Sequence, residues 1–319
     1  MRTSVKYALW CGSFVVLLMY AVQYAVDRGL RKSKMQYFAT WNDIYSGKIN
    51  ADVIVNGSSR AFLHISPQIL DTILHLNSYN LGLDGWGFPM QFARFRIYLQ
   101  HNKKPRYIIQ SIDLDNFEDR KDLYSYRQFL PYLNDREIRD ITSRYEGKFT
   151  FPEMYFPLFK YNNNLNLVKE GLFCYFNIGK VATNKLYKGF GPRSFAWDSS
   201  FERFKAAYPN GTVKPVQENA VREFEQFLNY CRDNDIKVIF VFTPILREEL
   251  AMEKNAGEII AMIDGYSKKY NFLFLNYAND TLGADRKYFY NSQHLNAQGA
   301  ALFTTKLASD LKPFVQAAP

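Results

Sequence analysis

Two short segments carry the residue types of nucleophilic catalysis. DVIVNGSSR at 52–60 sets Ser58 and Ser59 after an apolar run, and YNSQHLNAQGA at 290–300 sets His294 just ahead of a helical pattern. A serine hydroxyl attacks carbonyl carbon at neutral pH only when a base takes its proton. A Ser and a His that the fold brings together therefore point to hydrolysis or acyl transfer. The same residues also serve as turn or helix-cap serines and as a packing histidine. The elements between them decide which reading holds.

Those elements alternate. Short apolar runs at 52–56, 78–81, 106–112, 237–243 and 272–275 read as strands. Helical patterns fall at 67–76, 89–101, 216–233, 246–270 with a break near Gly257, and 297–312. Alternation of this kind predicts an α/β fold, a doubly wound five-stranded parallel sheet in the order 2-1-3-4-5. Open parallel sheets bind ligands at the carboxyl ends of their strands. Ser59 follows the first strand, Gly82 and Gly85 the second, Asp113 and Asn116 the third, and His294 the fifth. One edge of the sheet thus collects every candidate.

The stretch 117–214 does not continue the alternation and is rich in aromatics (YSYRQF, FTFPEMYFPLFKY, LFCYF). It is too long for a plain loop and predicts an inserted, mainly helical subdomain. Its aromatics are expected to form its own core, with a second role as a cap over substrate or as a surface resting on a membrane. The sheet domain is expected over 50–319.

Residues 7–26 are uncharged, enough apolar helix to cross a bilayer. With no convincing cleavage site after it, the segment predicts an uncleaved anchor within a basic module over 1–34. A count of flanking positive charge favours a cytoplasmic domain. The short basic tail before the span, and the resemblance below, favour a single pass of the cytoplasmic (inner) membrane with the domain outside.

The net charge of +9 suggests a polyanion partner until it is partitioned: residues 1–34 hold six Lys or Arg against Asp27 alone. The rest shows no basic run or nucleic-acid module, which argues against DNA or RNA. The basic flank suits anionic lipid. Cys11, Cys174 and Cys231 form no CxxC pair and predict neither a metal site nor a disulfide framework; no cofactor is expected.

Taken together, Gly57-Ser58-Ser59-Arg60, NLGLDG at 80–85 and HLNAQGA at 294–300 resemble the SGNH or GDSL-type serine hydrolases, in particular membrane-anchored bacterial relatives with a GSSR motif. The resemblance spans about 52–312 and leaves the insertion unmatched. It implies Ser59 as nucleophile, His294 as base, and the N–H groups of Ser59 and Gly85 as an oxyanion hole. Two departures stand out. Asn291 occupies the place of the family's aspartate three residues before the histidine, and SIDLDN replaces Gly-x-Asn after the third strand. Asn291 orients the imidazole without supplying charge, unless a carboxylate such as Asp285 does so. Asp113 falls nearest the third block's donor and Asn116 is the alternative. Arg60 is a candidate contact for a substrate carboxylate or phosphate, against a surface or helix-start role.

The function implied is an esterase or O-acyltransferase acting on an acylated glycan of the cell envelope or an exported polysaccharide, alongside a membrane-bound polysaccharide-modification partner. The alternative is a non-catalytic relative that binds glycan or serves assembly.

Overall fold

The computed structural model describes residues 2–118 and 120–316. In chain order come α1 (Arg2–Leu30), α2 (Gln36–Ser46), β1 (Val53–Asn56), α3 (Ser59–His64), α4 (Pro67–Leu74), β2 (Ser78–Asn80), α5 (Phe88–His101) and β3 (Tyr107–Ser111). There follow α6 (Arg136–Thr142), α7 (Phe151–Tyr155), α8 (Leu165–Phe176), α9 (Ser200–Ala207), α10 (Glu218–Asp233), β4 (Lys237–Phe242) and α11 (Arg247–Met252). The chain closes with α12 (Ala256–Tyr270), β5 (Leu273–Asn276), β6 (Phe289–Asn291), β7 (His294–Leu295) and α13 (Ala297–Gln316).

The chain divides into two compact units. One joins Met1–Asp43 to Lys121–Asn184, and the other joins Ile44–Arg120 to Lys185–Pro319. The first unit therefore has narrower bounds within the insertion than 117–214, and 185–214 belongs with the sheet. The insertion's core is also shared with the N-terminal residues. Trp41 packs on Phe129 and donates its Nε1–H to Gln128 Oε1 at 2.9 Å. At the α1–α8 crossing, a Cβ on Gly29 would lie 1.7 Å from Gly171 O, so the two backbones meet as only glycines allow. α1 extends beyond 7–26 at both ends, and Thr3–Leu30 is long and apolar enough to cross a membrane.

The second unit is an α/β domain with strand order β2-β1-β3-β4-β5, every neighbouring pair parallel. Strand alternation splits its side chains between two layers. Val53, Val55, Tyr107, Ile109, Ile239 and Val241 face α4 and α13, which contribute Leu70, Leu74, Phe303, Leu307 and Leu311 to one core cluster. On the other side Phe240 stacks on Phe224 of α10, whose Phe227 meets Phe88 and Phe92 of α5. β1 and β3 are buried on both faces, which is why they read as continuous apolar runs.

Three boundaries differ from the sequence expectation. The break in 246–270 falls at Glu253–Asn255, where Thr212 N donates to Met252 O and Lys254 N to Thr212 O, and this pairing diverts the chain out of the helix. α13 runs past Lys312 and through Pro313 because Val315 still reaches the core. The short helix α3 was not anticipated. It begins on Ser59 itself.

Candidate active site

β1 delivers the chain to the carboxyl edge of the sheet, where Gly57 turns it into α3. Gly57 has φ +147°, and a Cβ there would lie 2.8 Å from both Ala61 Cβ and Ser111 Cβ. Only glycine suits that turn. Ser58 caps the helix, its Oγ accepting from Arg60 N at 3.3 Å. Ser59 is the first helical residue, so its own N–H has no intrahelical acceptor.

α3 is held from several sides. Asn80 at the end of β2 donates its Nδ2–H groups to Ala61 O (2.7 Å) and Ile65 O (2.9 Å), while its Oδ1 accepts from Gly82 N. Gly82 itself lies against the helix: a Cβ would sit 2.3 Å from Phe62 N. From α13, Thr304 Oγ1 donates to His64 O at 2.8 Å. The position of the serine is therefore set by buried polar contacts from two other elements.

His294 arrives from the hairpin of β6 and β7, and its Nε2 lies 2.7 Å from Ser59 Oγ across 235 residues of sequence. Asn291 Oδ1 accepts from Gln293 N (3.1 Å) and His294 N (2.9 Å), and these two backbone donors fix which end of the amide faces the ring. The same oxygen lies 3.0 Å from His294 Nδ1. Nδ1 must therefore carry the proton, leaving Nε2 as an acceptor for the serine hydroxyl. Burial, reinforced by the charges of Arg60 and Arg193 and opposed by Asp198, pushes the imidazole down to about 4. It is neutral at pH 7. Tyr290 stacks on it at 5.5 Å with 7° between the planes. Asp285 does not serve this ring: it caps Lys287 N and pairs with Lys287.

The surface role for Arg60 is overturned, since the side chain is buried. It sits 3.3 Å from Asp113 and donates Nε–H to Thr243 Oγ1 at 3.0 Å. A further bond runs to Thr243 O, and the guanidinium lies 4.7 Å over the Phe242 ring. Asp113 is correspondingly an ion-pair partner of Arg60 and an acceptor for Ser58 Oγ–H. Burial outweighs the guanidinium and pushes its carboxyl up to about 6. A carboxylate so engaged is no oxyanion donor. Asn116 is buried and donates its backbone N–H to Asp113 O, while its side-chain amide has no hydrogen-bond partner among the described residues. Gly85 adopts φ +76°, and its carbonyl accepts from Arg120. Beside Ser59 opens a cavity of about 40 Å³ shared by Arg60, Asp113, Lys214, Glu249, Glu253 and Gln293. Among the described residues, neither Gly85 nor Asn116 lines it.

Two participants were not seen in the sequence. Leu295 N donates to His64 Nε2 at 3.0 Å, so His64 Nδ1 carries the proton given to Thr243 Oγ1 at 2.9 Å. Burial, then the charges of Arg60 and His294, hold this imidazole well below its ordinary value. A chain Arg60–Thr243–His64–Leu295 thus ties the residue after Ser59 to the residue after His294. Thr243 was visible as the end of a strand. Nothing marked His64, which lay between expected elements. Among the described residues no cluster of His, Cys, Asp or Glu is arranged to hold a metal, and Cys174 and Cys231 are each free and buried.

No family model and no curated protein matches the sequence. Solved structures similar to it include a protein named as lipolytic, of the G-D-S-L family, from Desulfitobacterium hafniense DCB-2, at 11% identity and TM-score 0.43, covering 82% of this chain and 99% of that one. A protein named as an acylhydrolase from Bacteroides fragilis NCTC 9343 follows at 11% and 0.38, covering 82% and 87%. A GDSL-like lipase from Bacteroides thetaiotaomicron VPI-5482 gives 12% and 0.38, covering 86% and 98%.

Proposed function

We propose that this protein is an SGNH-type serine hydrolase or O-acyltransferase acting on acyl esters of a cell-envelope or exported polysaccharide. The observation that carries the chemistry is the 2.7 Å contact of Ser59 Oγ with His294 Nε2, on a ring whose tautomer Asn291 sets. Ser59 Oγ attacks the ester carbonyl carbon as its proton passes to His294 Nε2. The tetrahedral oxyanion is held by the N–H of Ser59, which has no intrahelical acceptor; Gly85, expected as the second donor, does not line the cavity. Collapse breaks the bond to the alcohol, which takes the proton from His294 and leaves acyl-Ser59. Water or a second sugar hydroxyl then attacks in the same way, giving acid or transferred ester and free Ser59. Asn291 offers no charge to the transient imidazolium, so turnover is expected to be slow.

The membrane reading rests on α1. Val26 and Leu30 are fully buried, and Asp27 holds Lys160 at 2.8 Å and the Tyr161 hydroxyl. Cleavage after them would remove Asp27 and strand the buried Lys160 cation, which favours an anchor that stays. Phe151, Tyr155, Phe156 and Phe159 form a cluster on the surface of the same unit. They stand beside α1 where Tyr20 OH donates to Tyr155 O and Leu158 N donates to Gln23 Oε1. Aromatics at that height suit the lipid–water boundary, with the globular part outside the cytoplasm.

A second reading, a non-catalytic glycan-binding or assembly component, is favoured by the missing carboxylate at 291 and by the engagement of Asp113 with Arg60. A serine-reactive alkyl phosphonate separates the two. The hydrolase reading expects one label, mapping to Ser59 and lost in His294→Ala; a folded protein that takes no label supports the binding reading.

A further inference from the structure

The cavity beside Ser59 contains more ionisable groups than acyl chemistry needs. Two pairs neutralise themselves: Arg60 with Asp113 at 3.3 Å, and Lys214 with Glu253 at 3.3 Å. Glu249 and the solvent-exposed Asp115 are left over, and of the two only Glu249 is buried. Its side chain is buried at 1% exposure, and Oε1 accepts from Gln293 Nε2 at 2.9 Å. Oε2 is buried with no hydrogen-bond partner among the described residues.

An unpaired buried carboxylate oxygen is costly unless a donor reaches it. Here the residue is also held firmly. Glu249 sits in the first turn of α11, and the preceding Leu246 N donates to Ser292 O in the loop that carries His294. The volume of about 40 Å³ exceeds the roughly 10–15 Å³ that one water needs, and it suits a hydroxyl or hydroxymethyl group, not a sugar ring. Hydrogen-bonding capacity narrows the choice. An ammonium group has donors only and cannot accept from Lys214, whereas a hydroxyl can donate to Glu249 and accept from Lys214.

We infer that this cavity is a subsite for a free hydroxyl of the substrate, neighbouring the ester that Ser59 attacks, with Glu249 as its acceptor and Lys214 as its donor. Glu249 is thus a specificity-determining residue: it selects esters of polyols whose adjacent hydroxyls are unblocked. The inference rests on the hydrolase reading for its substrate, and it deepens that reading.

The test uses the full chain in detergent micelles and two esters: methyl glucoside carrying one O-acetyl group, and the same ester with its remaining hydroxyls methylated. The parent is expected to prefer the free-hydroxyl ester about tenfold or more in kcat/KM, the discrimination that a charged hydrogen bond supports. In Glu249→Gln that ratio falls toward one, and Lys214→Met, changed at the less buried side of the cavity, lowers it as well. Turnover of both esters by the parent without preference overturns the subsite and spares the hydrolase reading. A preference that survives Glu249→Gln overturns the assignment too. Binding of methyl glucoside itself, followed by saturation-transfer NMR, separates the remaining cases. Binding that depends on Glu249 in a protein that turns over no ester supports the subsite and overturns the hydrolase reading, whereas neither turnover nor binding overturns both.

Discussion

At the scale of single residues the unusual feature of the proposed mechanism is a base with an amide where a carboxylate would supply charge. His294 is held in the productive tautomer by Asn291 but pushed down to about 4 by burial and two arginines. For the free enzyme, kcat/KM on a small activated ester should therefore rise through an acid limb near pH 4 and stay flat to neutrality. A limb near 6.5 would show that the ring is not buried as described. Restoring charge with Asn291→Asp should raise turnover about 10- to 100-fold, less than the ~10⁴ lost by the reverse change in the serine-protease triad. It should also move the acid limb upward, because a neighbouring anion favours the imidazolium. Activity in the parent that survives both Ser59→Ala and His294→Ala would remove the mechanism altogether. His64 acts one step back, as a positioning residue. His64→Phe should lower kcat about tenfold or more with little change in KM, since it leaves Leu295 N–H unsatisfied, and His64→Gln, which keeps an acceptor, should recover part of the loss. Equal effects of the two changes would mark His64 as packing alone.

At the scale of elements the site depends on how closely β2 and its following turn approach α3. Gly82→Ala places a methyl 2.3 Å from Phe62 N, and backbone does not yield cheaply. Overpacking of this kind costs about 1–3 kcal/mol. The expected result is a lower urea midpoint together with slower phosphonate labelling of Ser59, because the displaced helix carries Ser59. An unchanged labelling rate would mean that α3 is held by Asn80 and Thr304 without the glycine contact. The elements themselves were legible in advance wherever periodicity was strong. All five strands lie within a residue or two of their expected places and in the expected order. α3 was not legible, because a six-residue helix is too short to show a period. The hairpin of β6 and β7 was missed for the same reason.

At the scale of the whole molecule, the membrane reading proposed above assigns contact with the bilayer to α1 and the aromatic cluster. A solvatochromic label at Phe156→Cys, in a Cys11→Ser background where Cys174 and Cys231 are buried, should shift to shorter wavelength on reconstitution into liposomes. The same emission with and without lipid would count against the aromatic collar. A reporter placed after Pro319 should read extracytoplasmic, and a cytoplasmic reading would end the envelope-polysaccharide proposal.

By itself the amino-acid sequence determined the alternation of strand and helix, the apolar span, and the appearance of Ser59, Gly82, Gly85, Asp113 and Asn116 after strands and of His294 in the connection beyond the fifth, because these are local consequences of side-chain period and turn chemistry. Tertiary structure alone decided which of them meet. Arg60 looked like a surface or ligand-facing cation, yet it is buried because Asp113 and Thr243, 53 and 183 residues away, supply its partners. Glu249 lay unremarked within the helical pattern expected over 246–270. Its exceptional position comes from Gln293 and the cavity wall, and pairing across the chain leaves no trace in the spacing of residues along it.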